Sequence, residues 1–244
     1  MEAVITTPNW DKDSWIGSKA YINYAVKVLS DCFQVQASHR VLDIGCGRGA
    51  ISQAFADANR LVNPVEAIDV TDGFDDQGGS GVRFKQVGAL EYLDQQPDAI
   101  FDGVLLKQVF HLVPEPDREA LLMQLKRCLK PGGRALVLLM PTELSLPMFQ
   151  AARQVFSHEV FPVETVTTLA ESCGFETRLS GFSFPVRISK NAYFELLRQR
   201  FVSTLRHFSD EVILQGIVEL DRDCRTDEFV FDDVLDVVSL IKRA

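Results

Sequence analysis

Val41-Leu42-Asp43-Ile44-Gly45-Cys46-Gly47-Arg48-Gly49 is an apolar run that ends in an acid and three alternate glycines, then passes into a helical pattern. A glycine lacks Cβ, so such a loop can take positive φ angles and bring its backbone against a ligand. The stretch reads as strand, turn and helix start, with a nucleoside-like cofactor at the turn.

Neighbouring residues narrow the ligand. A phosphate-cradling P-loop needs Lys-Ser or Lys-Thr after its last glycine, and here Ala50-Ile51 follows Gly49, which excludes it. The dinucleotide fingerprint G-x-G-x-x-G lets the strand run straight into the first glycine. This loop is G-x-G-x-G preceded by an acid, and Asp43 would repel a pyrophosphate. The same acid could organise backbone amides around a cationic ligand. Val65-Glu66-Ala67-Ile68-Asp69 then reads as a second strand closing on a carboxylate. It comes about 20 residues after the glycines, the spacing at which a parallel strand delivers an acid to ribose hydroxyls. The plainer alternative is a strand-to-helix turn without a ligand.

Four ordered blocks, VLDIGCGRG at 41–49, EAIDV at 66–70, FDGVLL at 101–106 and LKPGGRALV at 129–137, resemble the class I S-adenosylmethionine-dependent methyltransferases. The resemblance covers roughly residues 40 to 140; the remainder matches only in outline. It implies a Rossmann-like, doubly wound α/β fold, with a mostly parallel seven-stranded sheet and helical lid elements. The last strand would be antiparallel and inserted between the fifth and sixth. The implied cofactor is S-adenosyl-L-methionine, leaving as S-adenosyl-L-homocysteine. Asp43, Gly45, Cys46 and Gly47 would surround its amino acid part, and Asp69 and Val70 would meet the ribose and adenine. Leu106 and Lys107 would lie at the mouth of the fourth strand. Many family members have an acid after the third strand that accepts from the adenine amino group. This chain has Gly88 there, which leaves adenine to the backbone around Ala89 and Leu90.

At 244 residues and 46% hydrophobic content, the chain fits one large domain. The expected organisation is an N-terminal cap helix in 1–35, a cofactor-binding core in 36–140, and C-terminal strands in 141–244 with a helical lid at 189–220. No apolar run approaches the roughly 20 residues of a membrane span, and the N-terminus lacks the basic and apolar regions of a signal peptide. A cytoplasmic protein is expected. Cys32, Cys46, Cys128, Cys173 and Cys224 show no paired spacing, so neither zinc nor a disulfide framework is expected. A net charge of -9 opposes binding to nucleic-acid phosphates and favours a small-molecule acceptor.

Apolar periodicity predicts helices over 18–33, 50–58, 117–129 and 164–172. Short apolar runs predict strands at 40–44, 82–87 and 135–140, alternating with the helices as in a parallel sheet. Residues 75–81 read as an exposed loop. Gly181 and Pro185 make 174–186 an irregular or edge strand. Two helices, 191–207 and 209–220, precede the last strand, 227–242.

Methyl transfer from a sulfonium needs positioning and desolvation rather than a dedicated triad, so the acceptor site is less legible. His111, just beyond the fourth strand, has the ordinary pKa range for removing a proton at neutral pH; a structural histidine fits the position too. On a helix over 191–207, Arg200 or Arg198 could hold an anionic acceptor bidentately, with Trp15 and Tyr21 closing the N-terminal side. The same arginines would suit a solvated surface helix. Three readings stay open. The first is a methyltransferase for a small carboxylate- or hydroxyl-bearing acceptor. The others are a protein or RNA methyltransferase, and a noncatalytic cofactor-binding protein.

Overall fold

The structure is a computed structural model and describes residues 14–74 and 81–243. The expectations for the first residues of the chain and for the glycine-rich loop at 75–80 lie outside the described residues.

Seven strands form one sheet: β1 (Val41–Ile44), β2 (Val65–Asp69), β3 (Val82–Gln86), β4 (Phe101–Lys107), β5 (Leu129–Leu139), β6 (Glu176–Ser189) and β7 (Glu228–Ile241). Their order is β3-β2-β1-β4-β5-β7-β6. The first five pair in parallel. β7 runs antiparallel between β5 and β6, as the resemblance implies. The order reverses between β1 and β4, and a doubly wound sheet opens a crevice at that point, outside the carboxyl ends of the strands.

Strand residues alternate between two helical layers. Val41, Leu105, Leu136, Leu138 and Val237 point to one face. There they meet α1 (Lys19–Phe33), α2 (Ala50–Asn59), α5 (Gln150–Glu159), α7 (Lys190–Arg198) and α8 (Asp210–Asp223). Leu42, Ile44, Val104, Leu106 and Val137 point to the other face. They meet α3 (Ala89–Asp94), α4 (Glu115–Cys128) and α6 (Val163–Ser172). No described helix is long and apolar enough to cross a membrane.

Three departures from the expected elements have local causes. β5 starts at Leu129, so the Pro131-Gly132-Gly133 turn is absorbed into a strand whose pairing with β4 shifts register between Phe101 and Gly103. A helix that periodicity did not single out, α5, covers 150–159. The helix expected over 191–207 is broken: α7 ends at Arg198, Arg200 takes φ 54°, and Ser203–His207 forms a separate 3-10 turn.

β6 is an edge strand, consistent with Pro185 within it. The last β5–β7 pair is Leu139 with Asp236. β6 and β7 pair onward from Phe182–Leu235 to Ser189–Glu228. They therefore leave the sheet as a two-stranded ribbon past the carboxyl ends of the parallel strands. Phe182 and Phe184 of the ribbon stand opposite Leu235 and Asp233, so one carboxylate sits in an otherwise apolar face. α7, the 3-10 turn and α8 form the connection between β6 and β7.

Candidate cofactor and acceptor site

The turn after β1 is held down onto the end of β2. The amides of Gly45 and Cys46 both donate to the Ile68 carbonyl, at 2.8 and 3.1 Å. The Gly47 amide donates to Asp69 Oδ2 at 2.9 Å. Asp69 Oδ1 accepts from the amide and the hydroxyl of Thr71, each at 2.9 Å. One carboxylate thus fixes both sides of the crevice, with Oδ2 retaining a lone pair for a further donor.

The three glycines have different work. All take positive φ. A Cβ at Gly45 would collide with Val109 Cγ2, and one at Gly49 would collide with Phe74 Cε2. A Cβ at Gly47 would meet no heavy atom within 4 Å. Gly45 and Gly49 are therefore required by packing as well as backbone, while Gly47 presents the open face against which a ligand can lie.

Asp43 does not line that face. It is buried, and it accepts from the Ser52 hydroxyl on α2. Burial pushes its carboxyl up to about 6, opposed by the Ser52 hydrogen bond and the Lys107 charge. The amide that sequence reasoning would give to Asp43 goes to Asp69 instead. Burial likewise raises the Cys46 thiol, with the charges of Asp43 and Asp69 adding to the shift, so this cysteine stays protonated.

The remaining cofactor residues surround the same opening. Val70, directly after Asp69, is 72% exposed. Gly88 is extended at the start of α3, without a side-chain cap, so the amides of Ala89 and Leu90 lie in that helix's first turn. Leu106 is fully buried in the lower core, which leaves only its backbone for a ligand. Lys107 ends β4 with its Nζ 5.7 Å from the centre of the Tyr21 ring. It also lies within electrostatic range of Asp43 and Asp233.

On the acceptor side, Trp15 and Tyr21 are brought together, though neither is free surface. Trp15 Nε1 donates to Asp233 Oδ2 at 2.8 Å, and the buried Tyr21 hydroxyl lies within electrostatic range of the same carboxylate. Tyr21 packs edge-on against Phe182 and Phe184, at 5.4 and 5.2 Å between ring centres. Burial raises the Asp233 carboxyl, offset by Trp15, Lys107 and Tyr21.

Asp233 is the residue that sequence reasoning missed. Its only signal was an acid among alternating apolar residues of the last strand, the pattern of an inward-facing carboxylate.

Arg198 and Arg200, expected to hold an anionic acceptor, each pair with a neighbouring acid. Arg200 lies outside the helix, pairs with Asp210 at 2.7 Å and donates to the Phe208 carbonyl. Arg198 pairs with Glu195. Tyr193, Leu196, Leu197 and Thr204, at helical intervals from Arg200, are buried.

His111 lies in the 3-10 turn Phe110–Leu112. Burial, and secondly the Arg118 charge, lower its pKa and hold it neutral.

Residues 42–137 match the family described as the methyltransferase domain. That stretch is thus similar to methyltransferase domains over less than half of the chain. A ubiquinone/menaquinone biosynthesis C-methyltransferase (UbiE) of Pasteurella multocida is 32% identical over 143 residues, covering 54% of this chain and 50% of that one. The chain spans about half the length of the curated relatives it matches.

Among solved structures, a SAM-dependent methyltransferase from Archaeoglobus fulgidus aligns with TM-score 0.58 at 17% identity, over 94% of this chain and 97% of that one. Phosphoethanolamine N-methyltransferase 2 of Haemonchus contortus, solved with S-adenosyl-L-methionine, aligns with TM-score 0.59 at 16% identity, over 99% of this chain and 61% of that one. These structural likenesses are of fold. In this fold the opening at Gly47 lies at the reversal of strand order, between β1 and β4.

Proposed function

We propose that the chain is an S-adenosylmethionine-dependent methyltransferase of the cytoplasm, acting on a small-molecule acceptor that carries a hydroxyl group. The observation that carries this reading is the open backbone at Gly47, anchored to a carboxylate that still has a free lone pair at the strand-order reversal. The residues there fit the cofactor. Asp69 would accept from the ribose hydroxyls, Val70 would lie along the adenine, and the first-turn amides at Ala89 and Leu90 would meet its edge. Gly45 to Gly47 and the backbone of Leu106 and Lys107 would take the amino acid end.

When bound, the cofactor supplies a methyl group activated by a positively charged sulfur. The chain's own part is to orient the acceptor along the sulfur–methyl axis and to exclude water. The ribbon of β6 and β7 and its aromatic face supply the dry wall. His111, kept neutral, would take the acceptor's proton. A hydroxyl acceptor is preferred to a carboxylate because Arg198 and Arg200 are taken up by neighbouring acids. The name of the Pasteurella relative, a quinone-biosynthesis C-methyltransferase, supports a small-molecule acceptor.

The test is incubation with methyl-labelled S-adenosylmethionine and fractionated metabolite extract, with purified tRNA and lysate protein alongside. Label in a small hydroxylated product supports the reading. Label confined to RNA or protein, or cofactor binding with no label anywhere, would count against it.

A further inference from the structure

Gln108 is the first residue after β4, and its backbone sits in the left-handed region at φ 58°. A non-glycine residue takes that conformation only against a steric penalty. Two contacts hold the turn. The Gln108 amide donates to the Leu138 carbonyl on β5 at 2.9 Å, and the adjacent Val109 fills the space over Gly45.

The Gln108 side-chain Nε2 is enclosed and has no hydrogen-bond partner, alone in this among side-chain nitrogens and oxygens of the described residues. A buried donor left unmade gives up its bond to water and gains nothing in return. A leucine of similar size would avoid that cost. A strained backbone and an unmet donor on one residue, at the mouth of the proposed site, are features that ligand binding rather than folding explains.

We propose that Gln108 is an acceptor-positioning residue whose Nε2 donates a hydrogen bond to an oxygen of the methyl acceptor, a hydroxyl, phenolate or carbonyl oxygen. The inference rests on the methyl-transfer reading. It assigns the amide to the acceptor rather than the cofactor because β4 separates β1 from β5, and Gln108 is pinned to β5. A donor fixed at that oxygen holds the acceptor in register and stabilises negative charge developing there as the proton leaves.

The test uses Gln108→Leu, which removes the donor and the polar burial together, and Gln108→Glu, which keeps the length and removes the donor. Gln108→Asn shortens the reach but keeps the amide. The probe is the extract fraction that the parent protein labels, diluted in series. Three quantities are read: thermal midpoint, calorimetric affinity for S-adenosylhomocysteine, and the acceptor concentration giving half-maximal labelling.

For Gln108→Leu the expected result is an unchanged or higher midpoint, cofactor affinity unchanged within about twofold, and a half-maximal concentration raised about tenfold, the loss of one such hydrogen bond. Gln108→Glu should be impaired at least as much, and Gln108→Asn should fall between parent and Gln108→Leu. A lowered midpoint with unchanged acceptor dependence, or an equal loss of cofactor affinity, overturns the assignment. Should Gln108→Leu fail to fold, Gln108→Glu decides by the same criteria. If the parent binds cofactor but labels nothing, the methyl-transfer reading fails and this inference fails with it.

Discussion

Asp43 carries a charge where the fold disfavours one. Its carboxyl is enclosed beneath α2, and burial lifts its pKa from 3.8 to about 6. A carboxyl whose folded pKa is raised binds its proton more tightly in the folded state. Its contribution to stability is therefore full below about pH 4 and is lost as the pH rises through about 6. Asp43→Asn removes the charge and keeps a partner for Ser52. In urea titrations of the ligand-free protein, the variant should exceed the parent at pH 8 by up to about 3 kcal/mol, from a shift of about two units at 1.36 kcal/mol each. The difference should shrink between pH 6 and pH 4; a parent that is the more stable at pH 8 would contradict the assignment. At this scale the glycines and Asp69 were legible in the sequence, because positive φ and a strand-ending acid are local properties. Asp233 and Gln108 were not, since Trp15 lies 218 residues from Asp233 and an unmet amide exists only once the surrounding chain has closed around it.

Among the elements, α3 is the one whose start departs from the family pattern. Gly88 precedes it with φ −70° and ψ 151°, no side chain caps the helix, and a Cβ there would meet no heavy atom within 4 Å. Gly88→Asp should therefore be accepted without strain. It would cap α3 for a few tenths of a kcal/mol and place a carboxylate where the resemblance puts the partner of the adenine amino group. Calorimetry should show S-adenosylhomocysteine bound several-fold more tightly, given the strength of hydrogen bonds to charged groups. Unchanged or weaker binding would remove adenine from this end of the crevice. The alternating elements from β1 to β5 were readable because each has an unbroken apolar period. The break at Gln199 and Arg200 was not, because Thr204 keeps helical spacing from Tyr193, Leu196 and Leu197 of the core and is buried like them, though a turn and a second short helix intervene.

Across the whole molecule, the N-terminal segment and the β6–β7 ribbon meet over the carboxyl ends of the parallel strands. Their polar tie is Asp233, which accepts from Trp15 Nε1 at 2.8 Å. Trp15→Phe keeps an aromatic ring against Tyr193 and Phe231 but leaves a buried carboxylate short of a donor. Denaturant unfolding should show a loss of about 1–3 kcal/mol, and a loss below about 0.5 kcal/mol would mean that water reaches Asp233 in solution. The antiparallel last strand between the fifth and sixth followed from family likeness, whereas the ribbon's extension beyond the sheet depended on the register of β6 against β7, which no local pattern encodes. All of these features converge on one crevice, and its occupant is the central claim. The most direct measurement is calorimetric titration of S-adenosylhomocysteine into the parent protein and Asp69→Ala. The account expects one-to-one binding by the parent and affinity weakened by about 10- to 100-fold in the variant, the worth of hydrogen bonds to a carboxylate. No binding by the parent, or equal binding by the two proteins, would contradict it.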